Sequence, residues 1–197
     1  MRLTPIETPS NPLLRLVYWL VRRRLGKTIT PWKVIFARLP STIPAQLGIY
    51  WALERGLPLP TALALLIQAR VAGLNGCAFC LDLGRSMALG DDGLIAKLDD
   101  VDNFRSNPAF TERERAALAY VEEATRTRRV GDATFATLRQ HFDEREIVAL
   151  TWLNAVENYF NLQAVPLGIG ADGMCAIVER RTAGQRSPAP LSAATRA

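Results

Sequence analysis

The sequence has few of the features that would place the protein in a membrane or at the cell exterior. Its three cysteines are too few, and odd in number, for the disulfide framework of a small secreted protein. The apolar run from Leu13 to Val21 contains Arg15 and is far shorter than the roughly 20 residues of a membrane-spanning helix. It also lacks the small-residue cleavage site of a signal peptide. We therefore expect a cytoplasmic protein without a membrane span.

Strand signals are scarce as well, because the β-branched residues are scattered rather than alternating. Helical periodicity dominates instead, and the fold class predicted is all-α. The largely apolar stretch Thr61 to Leu74 predicts a buried, central helix. Thr111 with Glu114, and Asp143 with Glu146, have the spacing of capping boxes. Helices are predicted over residues 44–54, 61–74, 77–89, 91–98, 111–127, 132–141 (capped by Asp132) and 143 to 160 or 163.

The positive charge is concentrated near the amino terminus. Residues 1–40 hold eight basic residues and one acidic residue, a net charge of +7, whereas the whole chain has +5. We divide the chain into a basic arm with a helix (1–40), a helical domain (41–180) and a disordered tail (181–197) rich in Ala, Ser, Pro and Arg.

The basic arm has two interpretations. It is either a solvated or subunit-covering helix, or a segment that touches an anionic surface. Leu13, Val17 and Leu20 share a face that is followed by three arginines, residues 22–24, as in interfacial helices. No recognition motif accompanies the charges, so we expect no nucleic-acid partner.

The pair Cys77 and Cys80 is the feature with the clearest chemistry. Cysteines three residues apart at a helix start are adjacent on one face and close enough to form a disulfide. Unpaired N–H groups and the helix dipole there favour the thiolate and lower the thiol pKa. A thiolate attacks a peroxide or disulfide sulfur, and the neighbouring thiol resolves the product.

Two other interpretations of the pair remain open. The cysteines supply half of a zinc site, whose other ligands would have to be Cys175 and the single histidine, His141, both isolated in sequence. Alternatively, both cysteines are small apolar side chains in a core. We interpret Cys175 as an inert thiol and His141 as a partner of a helix dipole. We predict neither a metal nor a cofactor.

The surroundings of the pair resemble the carboxymuconolactone decarboxylase-like group, also called alkylhydroperoxidase D-like. The likeness covers roughly residues 35–170. Three segments carry it. The first is 69–82, with an apolar helix, an Asn-Gly break and the helix that bears the CxxC motif. The others are Thr111-Glu-Arg-Glu-Arg-Ala-Ala-Leu-Ala-Tyr and the segment 132–161, which has asparagines at 154, 158 and 161. The basic arm lies outside it.

This resemblance implies an oligomeric helical protein: a trimer, a hexamer or a related form such as a dimer. In the group's peroxidase members the second cysteine attacks the peroxide and the first resolves the sulfenic acid. For this sequence, the resemblance implies that Cys80 is the peroxidatic cysteine and Cys77 the resolving one. The substrate would be a hydroperoxide and the reductant a dithiol.

The proton relay of those peroxidases is not carried over. Its glutamate stands twelve positions before the first cysteine and its histidine four after the second, where this sequence has Leu65 and Gly84. Possible substitutes are Glu157, Asp82 and Tyr159. Glu157 serves as a proton group only if its side chain faces inward. Asp82 has the alternative role of stabilising the first turn of its helix.

The sequence therefore predicts a thiol-dependent oxidoreductase of the alkylhydroperoxidase type. The alternative is a non-catalytic helical oligomer that has kept the fold, lost the relay and serves an interaction. A lactone decarboxylase is a weaker interpretation, because that branch works without the cysteine pair and no lactone site is identifiable.

Overall fold

The computed structural model of the chain describes residues 1–186, and of residues 181–186 only the backbone. The described part is helical and contains no strand, as the sequence predicts. Its α-helices are α1 (Pro12–Leu25), α2 (Ile43–Glu54), α3 (Thr61–Asn75), α4 (Ala78–Met87), α5 (Asp92–Asp99), α6 (Glu112–Thr127), α7 (Asp132–Arg139), α8 (Glu144–Ala164) and α9 (Met174–Arg186). A π-helical turn (Trp32–Phe36) and short 3-10 turns (Pro40–Thr42, Val101–Asn103) join them.

Capping determines where several helices begin. Both predicted capping boxes are confirmed: the Thr111 side chain accepts from Glu114 N at the start of α6, and Asp143 accepts from Glu146 N at the start of α8. The predicted cap by Asp132 is wrong, because α7 begins at Asp132 itself and the capping position holds Gly131. Asp132 thus stands in the first turn, where its charge favours the positive end of the helix dipole.

Helix α3 lies at the centre of the bundle, as its apolar sequence predicts. Leu66, Ile67 and Val71 are completely buried. One side of α3 packs with α6, α7 and α8, and another with α5 and α6. Helix α4 packs against α3, α8 and α9, which places the start of α4 beside the middle of the bundle.

The amino-terminal arm packs on the helical body. Leu14 and Tyr18 of α1 belong to the same buried cluster as Cys77, Phe79 and Met174. The Tyr18 hydroxyl donates to the backbone oxygens of Ile6 and Trp32, and burial raises its pKa to about 12. The arm therefore covers the end of the body that carries the cysteine pair.

Helix α9 is an element that the sequence analysis did not assign. It runs to Arg186, inside the segment predicted as a tail, and residues 187–197 of that predicted tail lie outside the described residues. Among the described residues, no helix combines the length and apolarity required to cross a bilayer.

Candidate functional site at the Cys77–Cys80 pair

The cysteine pair lies at a junction between two helices. Helix α3 ends at Asn75, and Gly76 takes the left-handed conformation at φ +69°, which side-chain-bearing residues seldom adopt. The turn brings Cys77 back so that its N–H donates to Ala72 O at 2.8 Å. Cys77 then caps the start of α4.

The two cysteines differ in accessibility. They are paired as a disulfide with Cα atoms 5.4 Å apart. Cys77 has no exposed surface, whereas Cys80 is partly exposed. The Cys80 N–H also donates to Cys77 Sγ at 3.3 Å. A reactant from solvent can therefore reach Cys80, while Cys77 has the helix-start N–H that stabilises a departing thiolate.

Helix α8 brings an amide and a carboxylate to Cys80. The side-chain nitrogen of Asn161 donates to Cys80 Sγ at 3.1 Å and to Glu157 Oε1 at 2.7 Å. Because one nitrogen makes both bonds, the sulfur and the carboxylate oxygen lie within about 6 Å of each other, a gap that one water molecule spans. Asn161 thus connects the predicted nucleophile to the predicted proton group.

Glu157 is suited to exchange protons near neutral pH. It is 3% exposed, and burial raises its pKa from 4.5 to about 7, although hydrogen bonds from Asn161 and Gln68 oppose that rise. The Gln68 amide donates to the second carboxylate oxygen at 3.4 Å. A carboxyl group with this pKa is populated in both protonation states at pH 7, which general acid–base catalysis requires.

An asparagine cluster holds this arrangement in place. Asn75 donates to the side-chain oxygens of Asn158 (3.0 Å) and Asn161 (2.9 Å). Since Asn161 accepts from Asn75 through its oxygen, its nitrogen is turned towards Cys80. Asn158 in turn donates to Asn154 O at 2.9 Å. The sequence analysis noted these asparagines without giving them a role; their spacing of three and four residues on α8 was the available signal.

The other proton candidates lie elsewhere. The Asp82 carboxylate accepts from the backbone N–H groups of Asp172 (2.9 Å) and Met174 (3.0 Å) and so caps the start of α9. Tyr159 is 37% exposed and its ring packs against Phe160. Glu157 is the predicted candidate that the structure brings to Cys80.

The two positions of the missing relay are occupied by residues that cannot carry a proton. Leu65 is buried in the cluster on the α5 side of α3. Gly84 has open space where a side chain would start. One turn after Leu65, Gln68 of α3 reaches the site, where it contacts Glu157 rather than sulfur.

The remaining cysteine and the histidine do not join the pair. Cys175 lies on α9 with its sulfur 3.8 Å from Asp82 O, and its pKa is raised by burial and by the charge of Asp82. The backbone oxygen of His141 accepts from Arg113. Within residues 1–180, whose side chains are described, no group of three or more His, Cys, Asp or Glu is arranged to hold a metal ion.

Fold and site together define an all-helical protein of the alkylhydroperoxidase D-like class. The carboxymuconolactone decarboxylase family description matches residues 45–123, which include the cysteine pair. The chain is 31% identical to the uncharacterized protein YnjA of Escherichia coli K12 over 172 residues, 86% of this chain and 94% of YnjA. This protein belongs to the carboxymuconolactone decarboxylase family.

Solved structures agree with that assignment. An Agrobacterium tumefaciens protein of unknown function, for which an antioxidant defence role as AhpD has been proposed, is 28% identical to this chain. The match covers 70% of this chain and 96% of that one, with a TM-score of 0.62. Debrominase Bmp8, as a variant bound to 2,3,4-tribromopyrrole, has a TM-score of 0.74 at 17% identity, covering 92% of this chain and 97% of its own. At 17% identity, the similarity to debrominase Bmp8 shows a shared fold only.

Proposed function

We propose that this protein is a thiol-dependent oxidoreductase that reduces hydroperoxides through Cys80 and Cys77. The observation that carries the proposal is the contact of Cys80 Sγ with Asn161, which also binds a buried Glu157 whose pKa is about 7. A thiolate needs a donor that stabilises it and an acid that protonates the leaving oxygen. Asn161 supplies the first and Glu157 the second.

The oxidative half-reaction uses both thiols. The Cys80 thiolate attacks the terminal oxygen of the hydroperoxide, the O–O bond breaks, and the alkoxide takes a proton from Glu157 and leaves as an alcohol. Cys80 is then a sulfenic acid, and the Cys77 thiolate attacks its sulfur to form the disulfide. The departing hydroxide takes a proton from solvent and leaves as water. Two electrons pass from the two sulfurs to the peroxide.

The reductive half-reaction follows from the different burial of the sulfurs. A thiolate of a dithiol partner attacks the accessible Cys80, and Cys77 departs as a thiolate beside the N–H of Cys80. The partner's second thiol then attacks the mixed disulfide and frees Cys80. The partner is oxidised by two electrons, and both cysteines are reduced again.

Cysteine variants test this assignment. The reduced protein is mixed with one equivalent of cumene hydroperoxide, and the products are identified by mass spectrometry. We expect a Cys77–Cys80 disulfide in the native protein and in C175S, a sulfenic acid on Cys80 without a disulfide in C77S, and no rapid oxidation in C80S. If both thiols survive excess peroxide in the native protein, the proposal fails.

A non-catalytic oligomer is the second candidate, favoured by Leu65 and Gly84 at the relay positions. It predicts that oxidation of the native protein is no faster than that of a free thiol at the same pH. Turnover with a dithiol such as dithiothreitol that vanishes in C80S but survives in C175S would exclude it.

We also propose a homo-oligomer in the cytoplasm. Exposed apolar side chains lie on α2 and the second half of α8, which meet where the rings of Tyr50 and Phe160 stack at 6.0 Å. They include Leu47, Trp51 and Leu162, each about half exposed or more. Such surfaces mark interaction sites, and the family resemblance favours a second copy. A reducing compartment keeps the pair available as thiols.

A further inference from the structure

Helix α1 has an apolar face that the described part of the chain leaves exposed. Leu14 and Tyr18 point into the core and are 3% and 5% exposed. On the opposite side, four large apolar residues are each half exposed or more: Leu13, Leu16, Trp19 and Leu20. We call these four residues the α1 stripe.

The charges around the α1 stripe are all of one sign within the helix. Helix α1 contains no acidic residue, and Arg15, Arg22 and Arg23 are exposed beside the stripe. The Arg23 guanidinium lies over the Trp19 ring, 5.4 Å from its centre. The nearby acidic side chain of Glu7 is paired with Lys33 at 2.8 Å, and Glu54 is paired with Arg24 at 2.8 Å.

A shallow groove runs along one side of the stripe. Arg15, Trp19 and Arg22 line one side of it, and residues 7–9 line the other. Glu7 is the acidic residue of that lining, and its carboxylate is paired with Lys33. Arg15 and Arg22 stand two helical turns apart in this lining, with Trp19 between them in sequence. Their guanidinium groups are donors for an anionic oxygen at the edge of an apolar surface. Such donors beside an apolar surface suit a phosphate group at a bilayer surface.

We propose that α1 docks this protein on the surface of an anionic phospholipid bilayer. The apolar stripe enters the boundary between headgroups and acyl chains, Trp19 lies at that boundary, and the arginines contact lipid phosphates. Charge complementarity favours this occupant over a second copy of the chain, because pairing two α1 stripes would bring arginines of the same sign together. The proposal is independent of the cysteine chemistry.

Sedimentation with vesicles tests the electrostatic part. The full-length protein is mixed with vesicles of phosphatidylcholine alone, or with one quarter phosphatidylglycerol, at low and high salt. We expect binding to the anionic vesicles that weakens with salt. Each basic residue near such a surface strengthens binding about fivefold. R15Q/R22Q should therefore bind about 30-fold more weakly, whereas R139Q/R145Q, which removes the same charge from exposed positions of α7 and α8, should change binding far less.

Tryptophan fluorescence tests the apolar part. We expect a blue shift of emission on binding that is lost in W19F, and binding of L16S/L20S reduced at least tenfold. V148S, at an exposed position of α8, is the matched control. Circular dichroism and the thiol–peroxide assay verify that each variant is folded.

Three results would overturn the proposal. The first is equal binding to neutral and anionic vesicles, and the second is no binding to either. The third is a loss of vesicle binding in R139Q/R145Q as large as the loss in R15Q/R22Q. A different result would make the α1 stripe an interface between copies of the chain. In that case the native protein does not bind vesicles, and L16S/L20S has a lower mass than the native protein in analytical ultracentrifugation.

Discussion

At the scale of single residues, one amide group contacts Cys80, and we expect the reactivity of its thiol to depend on that contact. Asn161 Nδ2 donates to the Cys80 sulfur, and the oxygen of the same side chain accepts from Asn75. The amide is thereby fixed with its donor towards the sulfur. A donor that meets a forming thiolate stabilises it more than it stabilises the neutral thiol.

Replacing Asn161 by alanine should slow the reaction of reduced Cys80. A hydrogen bond to a charged group contributes about 1.5–3 kcal/mol, so we expect alkylation by iodoacetamide at pH 7 to fall about tenfold or more. Asn158→Ala is the matched control, because Asn158 lies on the same helix and its bonds are to Asn75, Thr125 and Asn154. Equal slowing in both variants would mean that the whole cluster, rather than this contact, determines the rate.

Glu157 should make the stability of the protein depend on pH. Its pKa is raised from 4.5 to about 7 in the folded state, so the folded state binds more protons between these values and stability falls as pH rises through them. The free energy of unfolding should fall by on the order of 3 kcal/mol over this pH range, and this fall should be absent in E157Q. Urea unfolding at pH 5 and pH 8 measures it; a parallel pH dependence in both proteins would contradict the assignment.

At the scale of helices, α9 is held by side chains from distant parts of the chain. Asp82 of α4 accepts the N–H groups at its start. The Asp172 carboxylate accepts from the backbone N–H and hydroxyl of Thr30, each at 2.7 Å, and from Lys27 at 3.0 Å. Two carboxylates thus join α4, α9 and the arm.

Replacing Asp82 by alanine should destabilise the protein without stopping the thiol chemistry. Loss of a helix cap costs about 0.5–2 kcal/mol, and the Met174 amide should lose protection from hydrogen exchange. Asp132→Ala, at the start of α7, where no side-chain cap is present, should cost less. A folded D82A protein that reacts slowly with peroxide would instead make Asp82 a proton group of the site.

At the scale of the whole molecule, the apolar surface of α2 and α8 predicts association. Trp51 is 59% exposed, with the Arg55 guanidinium 5.0 Å from its ring centre. We expect an oligomer in sedimentation equilibrium, and Trp51→Glu should dissociate it by placing a charge in an apolar interface. Phe135→Glu on α7 is the control; dissociation by both variants would place the contact elsewhere.

The sequence by itself determined the local elements of this protein. Capping residues such as Thr111 and Asp143, the glycine at position 76 and the apolar run of α3 act over a few residues, so the helices and the position of the cysteine pair followed from them. Helix α9 was not predicted, because the residue that caps its start, Asp82, is far away in sequence. The sequence also suggested Glu157, but only on the condition that it faces inward.

Tertiary structure decided the surroundings of Cys80. Glu157 and Asn161 lie about 80 residues from Cys80 along the chain, and their approach depends on how α8 packs against α3 and α4. It also decided that Cys77 is buried while Cys80 is accessible, because burial is a property of the packed bundle. Local spacing specifies a helix, whereas contacts between helices depend on which faces pack together.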